Sequence, residues 1–266
     1  MTLTDAQLER YARHIILREV GGTGQAKLLK SKVLVIGAGG LGSPLILYLA
    51  AAGVGTIGVI DHDAVSLSNL QRQIAHRAQD IGAPKVESAA RAAAAINPDV
   101  NIVPIDKRLV ADGAVALFRE YDLICDGTDN FQTRFLVNDA AFFAQRPLVS
   151  AAVGQFDGQL STFKAFDRPR GERIHPCYRC LYPEPPPEGT APSCTEAGIL
   201  GALTGVMGSL QALEALKELL GIGESLAGRL LIYDGLDSRF RTVNLRPDPA
   251  CALCGPNPKI GVPGKG

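Results

Sequence analysis

A glycine-rich loop joins two apolar segments near the start of the chain. Residues 33–36 read Val-Leu-Val-Ile, residues 37–42 read Gly-Ala-Gly-Gly-Leu-Gly, and a second apolar run at residues 56–60 ends at Asp61. This order predicts a strand, a tight turn, a helix and a second, parallel strand. Glycines let a backbone approach phosphate groups, and an acidic residue after the second strand suits ribose hydroxyls, so the pattern predicts a nucleotide site. Glycines that serve only tight packing are the alternative.

Strand and helix patterns continue to alternate up to about residue 152. Strands are predicted at residues 101–105, 122–125 and 147–152, with helices at residues 84–96, 111–118 and 130–144. Such alternation predicts a doubly wound parallel sheet with helices on both faces. A strand-like run at residues 159–166 follows with no crossover helix before it. We therefore expect an α/β fold with a Rossmann-like sheet that begins parallel and becomes mixed.

The two ends of the chain carry further helix and strand patterns. Thr4 and Gln7 have the spacing of a capping box and open a predicted helix that runs to residue 17. The largely apolar residues 197–213 contain four glycines and predict a closely packed helix. Two more strands are predicted after it, at residues 229–233 and 240–245.

The composition excludes several classes of protein. Lys and Arg together number 27, and so do Asp and Glu, so the chain lacks the excess positive charge of a nucleic-acid-binding protein. Residues 33–60 carry no charge, but Pro44 and seven glycines interrupt them, which indicates a buried βαβ unit rather than a membrane helix. The first residues contain no secretory signal. We expect a cytoplasmic protein that binds neither membrane nor nucleic acid.

Cationic and polar side chains follow the second predicted strand. Residues 66–73 read Ser-Leu-Ser-Asn-Leu-Gln-Arg-Gln, and Lys85 comes shortly after them. The glycine loop has no lysine to neutralise phosphate, and ligands of such sheets bind at the carboxyl ends of the strands. Arg72 and Lys85 are therefore candidate phosphate ligands, with Asn69 as a neutral donor. A solvated surface position is the alternative for either basic residue alone.

An acidic segment ends another predicted strand at the same edge of the sheet. Residues 125–130 read Cys-Asp-Gly-Thr-Asp-Asn. Mg²⁺ binds a carboxylate together with phosphate oxygens and water, so Asp129 is a candidate magnesium ligand. The alternative is that Asp126, Thr128 or Asp129 only caps the helix that follows.

Four cysteines form two CxxC pairs in the second half of the chain, Cys177 with Cys180 and Cys251 with Cys254. In a reducing compartment two such pairs predict one tetrahedral, structural Zn²⁺ site that ties the end of the chain to its middle. Free or redox-active thiols are the alternative. Cys194 stands alone beside a proline-rich loop at residues 183–192, where it is either a nucleophile or an incidental surface thiol.

The motifs, taken in this order, resemble a known family. They are GxGGLG, Asp61, SLSNLQRQ, Pro84-Lys85, DGTDN, CYRCL, the cysteine before EAG, GSLQALEALK and the final CxxCG. From about residue 10 to residue 255 the chain resembles the E1-like adenylyltransferases of the ThiF/MoeB/HesA group. The resemblance implies ATP-dependent transfer of AMP to the C-terminal Gly-Gly carboxylate of a small ubiquitin-like sulfur-carrier protein, with release of pyrophosphate. A thiocarboxylate made afterwards would serve molybdopterin or thiamine synthesis.

The resemblance also implies roles for individual residues. Arg13 is expected to act as an arginine finger in the site of a partner subunit, within a homodimer. Catalytic roles are expected for Arg13, Arg72, Asp129 and Cys194, the last of which forms covalent bonds in only some family members. Zn²⁺ ligands are Cys177, Cys180, Cys251 and Cys254. Ligands of ATP and Mg²⁺ are Gly37, Gly39, Gly40, Gly42, Asp61, Ser68, Asn69, Gln71, Arg72, Lys85, Asp129 and Asn130.

One domain is expected over residues 1–255. It would comprise an N-terminal helical arm (1–30), a nucleotide-binding half (31–152) and a carrier-binding, zinc-bearing half (153–255), followed by a tail (256–266). We expect the carrier's C-terminus to thread under the loop at residues 183–192. The short tail leaves no room for a rhodanese domain, so a separate sulfur donor is expected.

Two other functions are compatible with part of the sequence. The first is an NAD-dependent oxidoreductase, which the glycine loop and Asp61 permit. Arg13, Arg72 and Lys85 are surplus to a dinucleotide site and count against it. The second is a non-catalytic, zinc-bearing adaptor that binds carrier proteins and has no need of these cations.

Overall fold

The computed structural model describes residues 3–187 and 198–264. Within these ranges eight strands form one sheet in the order β3-β2-β1-β4-β5-β6-β7-β8. The strands are β1 Lys32–Ile36, β2 Thr56–Asp61, β3 Asn101–Asp106, β4 Leu123–Asp126, β5 Leu148–Val153, β6 Asp157–Phe163, β7 Arg229–Asp234 and β8 Arg239–Asn244.

The sheet changes from parallel to antiparallel after β5. The pairs among β1 to β5 are all parallel. β6, β7 and β8 join by antiparallel pairing. The α/β fold with a sheet that becomes mixed is therefore confirmed. Ile36 pairs with both Ile60 and Asp126, so the carboxyl ends of β1, β2 and β4 align at one edge.

Helices cover both faces of the sheet. They are α1 Asp5–Arg10, α2 Ala12–Ile15, α3 Gly21–Leu28, α4 Gly42–Ala52, α5 Lys85–Ile96, α6 Ala114–Arg119, α7 Phe131–Ala144, α8 Tyr178–Leu181 and α9 Gly201–Leu220, with 3-10 turns at Leu67–Asn69, Ala78–Asp80 and Pro169–Gly171. Because side chains alternate along a strand, Val33 and Val35 pack in the core with α4, α5 and α9, whereas Leu34 and Ile36 pack with α6 and α7. The described helices include none with the length and apolar character needed to cross a bilayer.

Some predicted boundaries are wrong, and tertiary contacts explain the differences. The helix predicted to run to residue 17 breaks at Tyr11, between α1 and α2. Tyr11 is buried, and its hydroxyl oxygen accepts a hydrogen bond of 2.8 Å from Asn97 Nδ2, so the side chain turns into the core. The helix predicted at residues 197–213 instead spans Gly201–Leu220 and ends at Gly221, which adopts a left-handed φ of 73°.

The predicted strand at residues 159–166 starts and ends earlier than expected, as β6. The segment predicted to be a tail packs against the protein through Ile260 and Val262. The Lys259 amide also donates to the Ala252 carbonyl at 2.7 Å.

Candidate functional site

A cleft of about 540 Å³ opens at the carboxyl ends of β1, β2 and β4. This is the edge at which the sequence predicted ligand binding. Of the predicted nucleotide ligands, the structure brings eight to the walls of this cleft: Gly37, Gly39, Gly40, Asp61, Arg72, Lys85, Asp129 and Asn130.

The glycine loop has both a packing role and free hydrogen-bond donors. Gly37 has a φ of +95°, which favours glycine. A Cβ on Gly42 would lie 2.9 Å from the Gly37 carbonyl carbon and closer still to its oxygen, so Gly42 serves the tight turn into α4. The amides of Gly39, Gly40 and Leu41 have no hydrogen-bond acceptor among the described residues. Such amides at the start of a helix favour anions.

Asp61 supports the loop as well as facing the cleft. Its Oδ2 accepts a hydrogen bond of 2.8 Å from the Ala38 amide, and its Oδ1 accepts one of 2.9 Å from the Asp63 amide. Each carboxylate oxygen retains a further lone pair, so Asp61 can still accept hydrogen bonds from a ligand.

Two cations line the cleft from the segments that follow β2. The Lys85 ammonium is 2.7 Å from Asp63 Oδ2, and the Lys85 side chain is buried whereas that of Asp63 is half exposed. Burial opposes ionisation of Asp63, but the hydrogen bond and charge of Lys85 lower its pKa overall. Arg72 Nη1 donates to the Ser68 carbonyl at 3.1 Å, which leaves its other nitrogens available.

Other predicted ligands do not line the cleft formed by the described residues. Asn69 Oδ1 instead accepts from the Ser66 amide at 3.1 Å and caps a 3-10 turn. Arg13 is exposed on α2 and has no ion-pair or hydrogen-bond partner among the described residues. The predicted residues that lie outside the cleft walls are Arg13, Gly42, Ser68, Asn69 and Gln71.

The structure separates the possible roles of the acidic segment after β4. Asp126 is buried, forms an ion pair of 3.4 Å with Arg134, and accepts hydrogen bonds from Thr128 and Ser150. Asn130 caps α7, because its side chain accepts from the Thr133 amide at 2.8 Å. Asp129 takes no part in this capping.

Asp129 is exposed and lines the cleft, with no hydrogen-bond partner among the residues described. The capping alternative is thus wrong for Asp129. Its carboxylate remains available for a ligand or a metal ion.

Several residues of the cleft were not singled out from the sequence. Lys107 and Arg108 follow β3 and line the cleft, and Arg108 Nη2 lies 3.0 Å from His62 Nε2. The strand predicted at residues 101–105 ends shortly before Lys107 and Arg108. The expectation that ligands bind at the carboxyl ends of the strands, which identified Arg72, therefore applies to these two residues as well. Gln73 and Arg134 also line the cleft.

The four cysteines of the CxxC pairs lie together as a cluster. Their sulfur atoms all fall within 4.8 Å of one another. Individual Sγ–Sγ distances are 3.5 Å for Cys177 to Cys251, 3.4 Å for Cys180 to Cys254 and 4.0 Å for Cys177 to Cys180. Four sulfurs around one Zn²⁺ at about 2.3 Å stand about 3.8 Å apart, so the cluster fits a tetrahedral metal ion.

Cys125, the other cysteine that the structure describes, contributes no ligand to this cluster. Cys125 is buried in β4, and burial raises the pKa of its thiol. A buried, protonated thiol behaves as a small apolar side chain. Cys194 lies outside the described residues.

Polar contacts join the cysteine cluster to α7, the helix that follows the acidic segment. Arg179, inside the first CxxC, makes a bidentate ion pair with Asp139 through bonds of 2.8 and 2.7 Å. The Tyr178 amide donates to Asn138 Oδ1 at 2.8 Å. Arg173 donates to the Cys254 carbonyl at 3.1 Å, which fixes the second CxxC. A metal ion in this cluster would therefore stabilise one wall of the cleft through α7.

Comparison with known proteins identifies the family. The ThiF family matches residues 11–253, and the chain belongs to that family. The predicted class, an E1-like adenylyltransferase, is confirmed by the named relatives. The chain is 49% identical over 258 residues to the sulfur carrier protein adenylyltransferase of Thermus thermophilus, covering 97% of this chain and 94% of the relative.

Two further relatives also match more than nine-tenths of this chain. The SAMP-activating enzyme E1 of Haloferax volcanii is 49% identical over 96% of this chain and 92% of the relative. The probable adenylyltransferase/sulfurtransferase MoeZ of Mycobacterium tuberculosis is 50% identical over 93% of this chain, which spans only 62% of MoeZ.

Solved structures share the fold. Escherichia coli MccB, crystallised with a MccA variant, aligns with a TM-score of 0.78 at 21% identity, over 92% of this chain and 75% of MccB. PaaA aligns with a TM-score of 0.74 at 22% identity, over 92% of this chain and 75% of PaaA. At these identities the likeness is evidence of fold alone.

Proposed function

We propose that this chain uses ATP and Mg²⁺ to adenylylate the C-terminal Gly-Gly carboxylate of a small ubiquitin-like sulfur-carrier protein. The observation that carries the proposal is the meeting in one cleft of Asp61, Arg72, Lys85, Asp129 and loop amides that have no acceptor in the described part of the chain. The names of relatives about 50% identical support the carrier as substrate. The acyl-adenylate would lead to a thiocarboxylate for molybdopterin or thiamine synthesis.

The chemistry explains why the cleft needs several cations. A carboxylate is a weak nucleophile, and a polyphosphate repels it. Catalysis therefore depends on neutralising charge and aligning the two reactants. Arg72, Lys85 and the amides of the glycine loop would stabilise the phosphate oxygens, while Asp61 holds the ribose. Bound Mg²⁺ supplies a further positive charge on the phosphates, and Asp129 is the residue that would hold it.

A second copy of the chain completes the site in this proposal. Arg13 is exposed and does not line the cleft of its own chain, although a finger-like arginine must reach the phosphates. Tyr11 is buried two residues earlier and anchors the arm that carries Arg13. We therefore assign Arg13 to the cleft of the partner in a homodimer.

The cysteine cluster holds a structural Zn²⁺ in this proposal. Among the residues that the structure describes, the cluster comprises four cysteines and no acidic or histidine ligand, and three of the four side chains are buried. A closed set of four thiolates leaves no open coordination position, so the ion would contribute folding energy rather than chemistry. Neither the oxidoreductase nor the adaptor is favoured by an observation of its own.

The proposal is tested by ATP–pyrophosphate exchange in the presence of a Gly-Gly carrier, comparing Arg72→Ala with Arg77→Ala. Arg77 is exposed on the same segment and does not line the cleft. Loss of one transition-state charge contact costs about 100-fold in rate, so Arg72→Ala should exchange about 100-fold more slowly. Arg77→Ala should behave as wild type. Equal rates for the two variants would contradict the assigned role.

A further inference from the structure

The peptide unit between Ala38 and Gly39 is held from a buried side chain outside the glycine loop. The Ala38 carbonyl lies 2.9 Å from His76 Nε2. On its other side, the Ala38 amide donates to Asp61 Oδ2 at 2.8 Å. Both polar groups of Ala38 therefore have partners, whereas the amide of Gly39, the next along the loop, has none within residues 3–187 and 198–264.

The contact with Ala38 places a proton on one nitrogen of the His76 ring. A carbonyl oxygen only accepts, so the proton between the two groups lies on His76 Nε2. Burial and the nearby charge of Lys85 lower the pKa of His76, although the hydrogen bond to the Ala38 carbonyl and the charges of Asp61 and Asp80 oppose the shift. The other ring nitrogen, Nδ1, lies 2.9 Å from the Ser88 hydroxyl oxygen.

A chain of polar contacts behind His76 fixes the orientation of the ring. Ser88 Oγ is also 2.9 Å from Asp80 Oδ2, and Asp80 Oδ1 accepts a 2.7 Å bond from Arg91. Asp80, Ser88 and His76 are all buried. A buried polar side chain with partners at both ends has one favourable orientation, so the His76 ring is held where Nε2 meets Ala38.

The geometry of the peptide bond relates the direction of the Ala38 carbonyl to that of the Gly39 N–H. In a trans peptide the C=O and the N–H point in opposite directions. A carbonyl of Ala38 that faces His76 therefore places the N–H of Gly39 on the side away from His76. Gly39 lines the cleft, and its N–H has no acceptor among the residues that the structure describes. Glycine at this position lowers the barrier to the opposite orientation.

We propose that His76 is a positioning residue that locks the Ala38–Gly39 peptide with the Gly39 N–H directed at a phosphate of the bound nucleotide. The inference rests on the proposed function, because it needs a nucleotide polyphosphate in the cleft. Its distinctive claim is that Nε2, rather than the bulk of the ring, is the atom that matters.

Matched amide variants separate the two ring nitrogens. The amide nitrogen of Gln can occupy the place of Nε2, whereas that of Asn occupies the place of Nδ1. His76→Asn should therefore raise the KM for ATP about tenfold, the effect of one lost hydrogen bond, with kcat within about twofold. His76→Gln should keep the KM within about threefold of wild type. ATP–pyrophosphate exchange and calorimetric ATP binding measure the change, and thermal melting and zinc content check the fold.

The outcomes separate this inference from the function on which it rests. A wild-type protein that binds no ATP would overturn both. Wild-type binding together with equal affinities for the Asn and Gln variants, whether both are normal or both are weakened, would overturn the positioning role and leave the proposed function standing. A variant that loses ATP affinity only in proportion to its melting temperature would show that the ring merely fills space.

Discussion

Substitution of Gly42 by Ala should destabilise the protein through the turn that begins α4. The added Cβ would lie 2.9 Å from the Gly37 carbonyl carbon and nearer to its oxygen, and both are backbone atoms. Gly37 cannot easily recede, because its amide donates to the Ile60 carbonyl at 2.8 Å. A carbon and an oxygen approach to about 3.3 Å, so the turn must open by on the order of 1 Å. Such overpacking costs about 3 kcal/mol.

This loss of stability can be measured as a decrease in the melting temperature. For a domain of this size about 3 kcal/mol lowers Tm by about 6–12 °C, read by circular dichroism or scanning calorimetry. Gly39→Ala is the matched control in the same loop. Its Cβ would meet only Gln73 Nε2, at 3.6 Å, so its stability should stay within about 0.5 kcal/mol of wild type. Equal melting temperatures for the two variants would refute the assignment of Gly42 to packing.

Two further perturbations test the metal cluster and the ion pair between exposed Arg91 and buried Asp80. Cys177→Ser should lose bound zinc and melt at a lower temperature, because a structural metal contributes folding energy, whereas Cys125→Ala should keep its zinc; full metal content in Cys177→Ser, by atomic absorption, would contradict the ligand set. Arg91 hydrogen-bonds to Asp80 and lowers the pKa of that carboxyl. Ionised Asp80 therefore stabilises the fold at pH values above its ordinary pKa of about 3.9, and this stabilisation is lost as the pH falls through the lower pKa of the folded state. Arg91→Ala should therefore move the midpoint of acid unfolding to higher pH, and an unchanged midpoint would count against this coupling.

Local sequence patterns were sufficient to predict the central sheet. The apolar run before Gly37 and the one before Asp61 became adjacent parallel strands. The absence of a crossover helix before residue 159 correctly indicated an antiparallel β6. These signals depend on periodicity and turn residues, which a sequence displays directly. The break at Tyr11 does not, because it follows from burial of one side chain against Asn97.

Local sequence patterns also predicted part of the candidate site. The expectation that ligands bind at the carboxyl ends of the strands identified Arg72, Lys85 and Asp129, and the CxxC spacing identified the cysteine cluster. The contact of His76 with Ala38 joins residues 38 positions apart in sequence, and no local pattern encodes it. Periodicity assigns a residue to a face of an element, but the partner of a buried polar side chain becomes known only from the packing of two elements.

Ion pairs join α7 to two features that the sequence predicted separately, the acidic segment after β4 and the cysteine cluster. Arg134, near the start of this helix, pairs with buried Asp126 at the cleft, and Asp139, further along, pairs with Arg179 between the cysteines. A buried charge left without its partner costs about 3–5 kcal/mol. The cysteine cluster and the acidic segment at the cleft are therefore both joined to the same helix by ion pairs.

The most direct test of the account is ATP–pyrophosphate exchange with an intact Gly-Gly carrier and with the same carrier lacking its last glycine. Molybdopterin-type and thiamine-type carriers should both be tried, with zinc-loaded protein. We predict exchange that depends on one intact carrier and disappears with the truncated form. A folded, zinc-loaded protein that exchanges with no carrier, or equally well with the truncated carrier, would contradict the claim that this cleft activates a C-terminal carboxylate.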